Sequence, residues 1–341
     1  MKTVYSDRHR LHHGTSELID GRFVPCFENP ERAELVVARI LDQGVGPVIG
    51  PRQFGLDPVA RVHTRPFIDF LSTAWDEWVA AHGEYDALPL VWPVRTLRND
   101  RVPEAIDGRL SYYSLDAGTP IMAGTWDAIT ASADVALTGA DLILRGERAA
   151  FSLCRPPGHH AAADLVGGYC YLNNAAIAAQ ALRDGGASRV AVLDVDYHHG
   201  NGTQAIFYER SDVVFASIHA DPVHEYPYFL GHADETGVGD GEGANANYPL
   251  PLGSAWDTYS SALDDAAAFI WRHRVDALVV SLGVDTFKHD PISQFVLDHD
   301  DYARLGARIA RLALPTLVVF EGGYAVAEIG VNTVNVLAAL T

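Results

Sequence analysis

Residues 189–202 read RVAVLDVDYHHGNG, an apolar run followed at once by carboxylates and histidines. The apolar run is typical of a strand that is covered on both faces in a parallel sheet. Similar short runs lie at 149–153, 213–218, 277–282 and 316–320. Longer stretches of helical periodicity separate them, at 124–144, 172–184, 255–274, 302–312 and 326–340. The alternation predicts an α/β fold with a doubly wound, mostly parallel sheet flanked by helices.

The composition indicates a soluble acidic protein. Its 341 residues include 25 Lys and Arg against 44 Asp and Glu, a formal net charge of −19. That charge disfavours nonspecific binding to nucleic acid or to an anionic membrane, and it would attract a cationic substrate. Three cysteines (Cys26, Cys154 and Cys170) are odd in number and far apart, which indicates free thiols in a reducing compartment. Because no signal peptide or membrane-spanning run is apparent, we expect a cytoplasmic protein.

The polar residues that follow the predicted strands form a candidate metal site. If the chain stays extended, a period of two places Asp194, Asp196 and His198 on one side. Asp285 follows another predicted strand. One imidazole and two carboxylates, with a position left for water, suit a catalytic divalent metal such as zinc. A lone aspartate here would more often cap a helix, but so many polar groups in one stretch are costly to bury without a cation or partners.

A histidine pair follows the first predicted strand, in RPPGHH at 155–160. Adjacent residues seldom point at one ion, so His159 and His160 are better suited to act beside a metal. One ring would be held by a carboxylate and the other would face the water. Asp194 and Asn201 are available as their partners. The alternative is a histidine pair in an exposed turn.

The last predicted strand ends in FEGGY at 320–324. Its two glycines allow a sharp turn and a close approach of the backbone. Tyr324 could direct its hydroxyl at a developing oxyanion or could simply pack as an aromatic residue, and the local sequence leaves both open.

Segment 82–125 is rich in Pro, Gly and aromatic residues and has no clear periodicity. A long ordered loop of this kind is usually a lid or an interface, although a surface excursion without a role is the alternative. A second irregular segment spans 220–251.

Five motifs, in this order and spacing, resemble the arginase/deacetylase superfamily and its zinc-dependent deacetylase branch. They are RPPGHHA at 155, GGYCYLNNAA at 167, LDVDYHHGNGTQ at 193, SLGVDTF with a later DP at 281, and EGGY at 321. The resemblance implies a single catalytic domain over 1–341, in which 82–125 is an inserted loop for the substrate channel and a dimer contact. Within the branch, three further stretches are most similar to bacterial acetylpolyamine amidohydrolases. These are GRFVPCFENPERAE at 21, WPVR at 92 and FLGHADETGVG at 229.

The resemblance implies one zinc ion per subunit, held by Asp196, His198 and Asp285. The arginase branch would need further carboxylates where Gly200 and Phe287 stand, so one such metal is expected, not two. A structural potassium ion is also implied, with the following ligand residues: Asp194, Asp196, His198, Ser217 and Ile218.

The resemblance also implies catalytic roles. His159 and His160 would be the tandem histidines, with His160 favoured as the general base and acid, and Tyr324 would hydrogen-bond the substrate carbonyl. Asp194 would hold His159, and Asn201 would stand near His160. Class I histone deacetylases have Asp at that last position. A neutral amide raises the basicity of the ring less than a carboxylate does, so the division of acid and base roles stays open.

We therefore predict a metal-dependent amidohydrolase that removes acetyl from N-acetylated polyamines or diamines, such as acetylputrescine and acetylcadaverine. The alternatives are a protein acetyl-lysine deacetylase of the histone type and a catalytically silent acetyl-amine binding protein. The inserted loop, with Trp92, Tyr112 and Tyr113, would narrow the channel of a homodimer. Among its acidic residues (Glu104, Asp107 and Asp116), we expect Asp107 to face the distal ammonium. The predicted channel residues are Gly168, Tyr169, Tyr226 and Gly322.

Overall fold

The structure is a computed structural model that describes residues 1–19, 21–96 and 98–340. Its strands, in chain order, are β1 (Lys2–Val4), β2 (Glu17–Ile19), β3 (Arg22–Val24), β4 (Val48–Ile49), β5 (Ala149–Ser152), β6 (Val190–Asp194), β7 (Val213–Ala220), β8 (Asn245–Leu250), β9 (Ala277–Leu282) and β10 (Thr316–Phe320). Its α-helices are α1 (Glu31–Gln43), α2 (Arg65–His82), α3 (Ile106–Tyr112), α4 (Thr125–Leu144), α5 (Asn174–Asp184), α6 (Asn201–Phe207), α7 (Trp256–Arg272), α8 (His299–Ala310) and α9 (Ile329–Ala338).

Eight strands form one sheet in the order β4-β1-β5-β10-β9-β6-β7-β8, and every neighbouring pair is parallel. The other two strands, β2 and β3, form a separate antiparallel pair. All five strands predicted from apolar runs are present, so the predicted α/β fold is confirmed.

Both faces of the sheet are covered by helices, and the strands alternate between two apolar cores. In β6, Val192 belongs to the core that includes residues of α2, α4 and α5, whereas Leu193 belongs to the core that includes residues of α1, α7, α8 and α9. Such strands bury side chains on both faces, which explains why they are apolar almost throughout. Within the described residues, none of the helices is both long and apolar enough to cross a bilayer.

Some elements were not predicted, and the missed strands lack the apolar run that identifies a strand locally. Strands β1 and β4 have three and two residues, and β8 reads NANYPL inside the irregular segment 220–251. Helices α1, α2, α3 and α6 were also missed, and α3 lies inside the loop at 82–125.

The strand order brings the chemical motifs together. Strands β5, β10, β9 and β6 are consecutive neighbours in the middle of the sheet. The carboxyl end of each is followed by one motif, and parallel strands place their carboxyl ends at the same edge. The histidine pair, the EGGY turn, Asp285 and the DxDxHH stretch therefore meet at one edge.

Candidate active site

Three buried side chains converge as one possible metal-binding group. The ligand atoms of Asp196, His198 and Asp285 all lie within 4.8 Å of one another. Nδ1 of His198 is 3.1 Å from Oδ2 of Asp285 and 3.4 Å from Oδ1 of Asp196. Ligands that bind zinc tetrahedrally at about 2.0–2.1 Å lie roughly 3.4 Å apart. The group therefore has the spacing of three ligands around one ion.

These residues do not converge by strand alternation, and that part of the sequence-based reasoning was wrong. Strand β6 ends at Asp194, and residues 196–198 form a bend. In the bend, Asp196 accepts a hydrogen bond from the backbone N–H of His198 at 2.9 Å, and Asp285 accepts one from Tyr197 N–H at 2.9 Å. Aspartate side chains compete in this way with strand hydrogen bonding, and here they turn the chain towards Asp285.

The charges of the group suit a cation. Burial and the neighbouring Asp196 carboxylate raise the pKa of Asp285 to about 7. Burial alone would lower the pKa of His198, but hydrogen bonds and charge from the two aspartates raise it to about 10. A proton thus balances the two carboxylates, and a divalent cation competing for the same atoms would displace it.

Glycine keeps space open beside the carboxylates. A Cβ at Gly322 would lie 2.5 Å from Oδ2 of Asp196 and 2.6 Å from Oδ2 of Asp285. Gly322 was predicted to contact substrate, but the structure places it against these aspartates and outside the residues that line the cavity described below. The residues present therefore fit a buried divalent metal ion.

The tandem histidines lie beside this group and have different partners. His159 Nδ1 is 3.0 Å from Asp194 Oδ2, and its Nε2 is 3.7 Å from Asp196 Oδ1. His160 Nδ1 is 2.6 Å from Oδ1 of Asn201. Burial opposes protonation of His159, but the two aspartates raise its pKa to about 10. Burial and the neighbouring histidines lower the pKa of His160. The pair therefore combines one cationic ring with one neutral ring.

Glu321 supports the histidine pair and was missed in the sequence analysis. It is fully buried, and its Oε2 accepts hydrogen bonds from the backbone N–H groups of Gly158 at 2.7 Å and His159 at 3.1 Å. Its place directly after a predicted strand, within EGGY, was the available signal.

Tyr324 packs as an aromatic residue and also faces the cavity, so both of the roles that the sequence left open stay compatible with its position. Its ring packs under the guanidinium of Arg32, 4.7 Å from the ring centroid, and against Tyr169 with centroids 5.6 Å apart. Its side chain also lines the same cavity as His160 and His198. Among the described residues, no protein group hydrogen-bonds its hydroxyl, which leaves that hydroxyl available to a ligand.

The cavity has a volume of about 570 Å³ and leads to His160, His198 and Tyr324. Three of the predicted channel residues line it: Gly168, Tyr169 and Tyr226. Gly168 has φ +52°, and a Cβ there would lie 2.1 Å from the His160 ring, so only glycine fits. The rings of Tyr226 and His160 make an edge-to-face contact at 5.0 Å between centroids, and the Tyr226 hydroxyl donates to Asp116 at 2.6 Å.

Three acidic residues line the cavity: Glu17, Asp116 and Glu225. Glu17 is fully buried and accepts a hydrogen bond from Phe27 N–H at 2.8 Å, and burial raises its pKa. Glu17 and Glu225 were missed, because neither follows a predicted strand. Asp107 is not part of this lining: it lies on α3, is 52% exposed and pairs with His82 at 3.0 Å.

The remaining predicted ligands of potassium lie on the neighbouring strand. Ser217 is paired with Asp194 across the β6–β7 ladder, and Ile218 follows it in β7. Oγ of Ser217 is 2.8 Å from Nδ1 of His219.

Comparison with known proteins gives the following similarities. Residues 26–340 match the histone deacetylase domain family model. The chain is 62% identical over 337 residues to acetylpolyamine amidohydrolase 2 of Pseudomonas aeruginosa, covering 99% of this chain and 98% of that protein. It is 50% identical over 337 residues to acetylpolyamine amidohydrolase of Mycoplana ramosa, with the same coverage of both chains. A crystal structure of acetylpolyamine aminohydrolase from Burkholderia pseudomallei superposes with a TM-score of 0.95 at 41% identity, covering 100% of this chain and 98% of that one.

Proposed function

The chain belongs to the histone deacetylase domain family, and on this premise we propose that it hydrolyses the acetyl amide of N-acetylated polyamines or diamines. Acetate and a free amine would be the products. The observation that carries the proposal is one cavity whose walls include His160, His198 and Tyr324 and also three carboxylates. The named amidohydrolase relatives, similar over almost the whole chain, support the same activity.

We propose that zinc is held by Asp196, His198 and Asp285, the group whose spacing and charge fit a divalent ion. When bound, zinc would polarise the acetyl carbonyl and lower the pKa of a water molecule towards about 7. A potassium ion is proposed at the residues named from the resemblance. Its support is the pairing of Asp194 with Ser217 beside the same bend.

The protein's own residues would move the protons. His160 is the neutral ring, and with Nδ1 engaged by Asn201 its Nε2 is left to take a proton from the attacking water. His159, held by Asp194, would remain cationic and stabilise the negative charge that develops. Tyr324 would donate its hydroxyl to the carbonyl oxygen as that oxygen becomes an oxyanion. His160 would then return its proton to the leaving amine.

The walls of the cavity support a cationic substrate. Glu17, Asp116 and Glu225 place carboxylates along the path that the amine chain would occupy. Glu17 is the strongest candidate for an ammonium contact, because charge pairs gain most where water is excluded. Asp107 lies outside the cavity of its own chain, so any contact with the amine would have to come from a partner chain.

We also propose a homodimer formed through the inserted loop. Four apolar side chains of the loop are 84%, 64%, 49% and 47% exposed, namely Leu90, Val91, Val94 and Val102. Large apolar side chains that are exposed within one loop support an interaction surface there. A sedimentation measurement that gave only the monomer mass would contradict the dimer.

We propose a cytoplasmic location, which the free thiols of all three cysteines support because the cytoplasm is reducing.

The experiment compares acetylputrescine with an uncharged N-alkylacetamide of equal length and with an acetyl-lysine peptide. We expect the charged amine to have the highest kcat/KM. Glu17→Gln should narrow the gap between charged and neutral substrates by about tenfold, as expected for loss of a partly desolvated ion pair. Asp42→Asn makes the same charge change at an exposed residue of α1, away from the cavity and the loop, and is the matched control. Asp107→Asn tests a contact from the partner chain.

Equal rates for charged and neutral substrates would contradict the polyamine proposal without affecting the hydrolase chemistry. A faster reaction with the peptide would instead favour the protein deacetylase. If Asp107→Asn reduced the difference in kcat/KM between charged and neutral substrates more than Glu17→Gln did, Asp107 would be the ammonium contact.

A further inference from the structure

The position of the Tyr324 hydroxyl depends on its backbone. Among the described residues no protein group hydrogen-bonds this hydroxyl, and the ring packs against Arg32 and Tyr169. A phenol lies at the end of a long side chain, so a small rotation of the backbone displaces the hydroxyl by far more than it displaces the Cα atom. Whatever holds the backbone at residue 324 therefore controls the hydroxyl.

The backbone of the EGGY turn is held at residues 321–323 by three partners, which are Asp196, Val284 and Arg32. Gly322 N–H donates to Asp196 Oδ2 at 2.8 Å, and Gly322 C=O accepts from Val284 N–H at 2.9 Å. Arg32 donates to the carbonyls of Glu321 and Gly323, at 2.6 Å each. None of these contacts reaches the N–H of Tyr324 itself.

Asp290 holds that N–H. Its Oδ2 accepts hydrogen bonds from the backbone N–H groups of Tyr324 at 2.6 Å and Ala325 at 3.1 Å. Its Oδ1 accepts one from Ile292 N–H at 3.1 Å. The residue is only 7% exposed, and no lysine or arginine forms an ion pair with it in the described part of the chain. Three backbone amides thus stabilise a buried carboxylate that would otherwise be costly.

Two of these three bonds are long-range. The bond to Ile292 spans two residues and would form in any tight turn of this type, whereas those to Tyr324 and Ala325 span 34 and 35 residues. They join the segment that follows the metal-binding Asp285 to the turn that carries Tyr324. Together with the contacts of Gly322, the carboxylate therefore ties the proposed oxyanion donor to the proposed metal site.

We propose that Asp290 is a positioning residue for Tyr324, which aims the phenol at the carbonyl oxygen by holding the backbone of residues 324 and 325. The proposal rests on the proposed function, in which Tyr324 donates to the oxyanion. Asp290 would not touch the substrate and would act only through Tyr324. Its loss should therefore lower kcat and should matter only when the phenol is present.

The test is a double-mutant cycle with Asp290→Asn and Tyr324→Phe, with kcat, KM and bound zinc measured for each protein. Asparagine keeps one acceptor oxygen but loses the second. A misplacement of about 1 Å in a catalytic group can cost about 100-fold, so Asp290→Asn should lower kcat by about 10- to 100-fold. In the Tyr324→Phe background, the same change should alter kcat by less than about twofold. Zinc content should stay at one per chain.

A matched control is Asp301→Asn. Asp301 is also buried, at 8% exposure, and its carboxylate accepts a backbone N–H, that of Asp298 at 2.9 Å, but it caps α8 outside the cavity. This variant should lose stability while keeping its kcat within about twofold. If Asp290→Asn does not fold, Asp290→Glu keeps the charge and moves it by one methylene, and the same cycle applies.

The proposal would be overturned if Asp290→Asn lowered kcat by the same factor in the wild-type and Tyr324→Phe proteins. Asp290 would then act independently of the phenol. Loss of zinc in Asp290→Asn would overturn it as well. The single Tyr324→Phe variant separates this result from failure of the proposed function. If that variant alone kept its kcat, the oxyanion role of Tyr324 would be wrong.

Discussion

Gly322→Ala should destroy the proposed metal site through a single methyl group. The new Cβ would lie 2.5 Å from Oδ2 of Asp196 and 2.6 Å from Oδ2 of Asp285, whereas Cβ contacts below 3.0 Å essentially do not occur. The carboxylates, or the turn, must therefore move by about half an ångström. The φ angle of Gly322 is outside the left-handed region, so alanine adds no backbone strain and the effect is purely steric.

The magnitude follows from the tolerance of metal coordination. Metal–ligand distances usually hold within about 0.2 Å, so a shift of half an ångström at two ligands exceeds that tolerance. Changes that merely disturb the partners of ligands cost about 10–100-fold in metal affinity. Displacing two ligands directly should cost at least 100-fold, and turnover should fall in proportion to the zinc lost.

The assay removes metal with a chelator and then titrates zinc against a chromophoric competitor, with hydrolysis of acetylputrescine measured at each point. Gly50→Ala is the matched control, because a Cβ there meets nothing within 4 Å and the backbone has no positive φ. Both proteins should give the same far-ultraviolet circular dichroism. Wild-type zinc affinity in Gly322→Ala would refute the assignment of Asp196 and Asp285 as the metal-binding pair.

Three further predictions concern the metal, the phenol and pH. Asp285→Ala removes one ligand and should abolish both bound zinc and turnover; one equivalent of zinc with a normal rate would exclude the assigned site. Tyr324→Phe should lower kcat by about 100-fold or more with zinc retained, since an oxyanion donor contributes about 2.7–4 kcal/mol; a loss of only a few-fold would leave packing as its role. Burial lowers the pKa of His63 to about 4, and its Nε2 accepts the N–H of Asn173. The unfolded chain therefore takes up this proton first as pH falls from about 6.5 to 4, and stability decreases by up to about 1.4 kcal/mol per pH unit. In urea titrations, His63→Gln should reduce the slope of the free energy of unfolding against pH by the equivalent of about one proton. An unchanged slope would show that His63 is not responsible for this pH dependence.

The apolar runs and the residues at their ends were sufficient to predict the architecture. Runs such as 190–193 must be buried on both faces, and parallel strands bring their carboxyl ends to one edge. That argument brought Asp196 and Asp285 together without any knowledge of the strand order. It failed for β1, β4 and β8, which are short or polar and are identified only by their neighbours in the sheet.

The site shows the same division between local pattern and tertiary contact. The residue types at the strand ends were enough to indicate a metal and a histidine pair. They wrongly suggested that an extended strand aligns Asp194, Asp196 and His198, because side-chain hydrogen bonds to the backbone bend the chain after Asp194. Which carboxylates face the cavity could not be read locally at all. Asp107 was chosen and lies outside it, whereas Glu17 and Glu225 line it from distant segments.

The sequence by itself thus determined the α/β class, the edge of the sheet that carries the chemistry and the residue types gathered there. Each of these depends on burial and periodicity over a few adjacent residues. Only the tertiary structure decided that Asp290 and Glu321 hold the backbone of Tyr324 and of the histidine pair, and that Glu17 faces the cavity. These contacts join segments that are far apart in the chain. The packing of whole elements sets their distances, and no local pattern of residues encodes them.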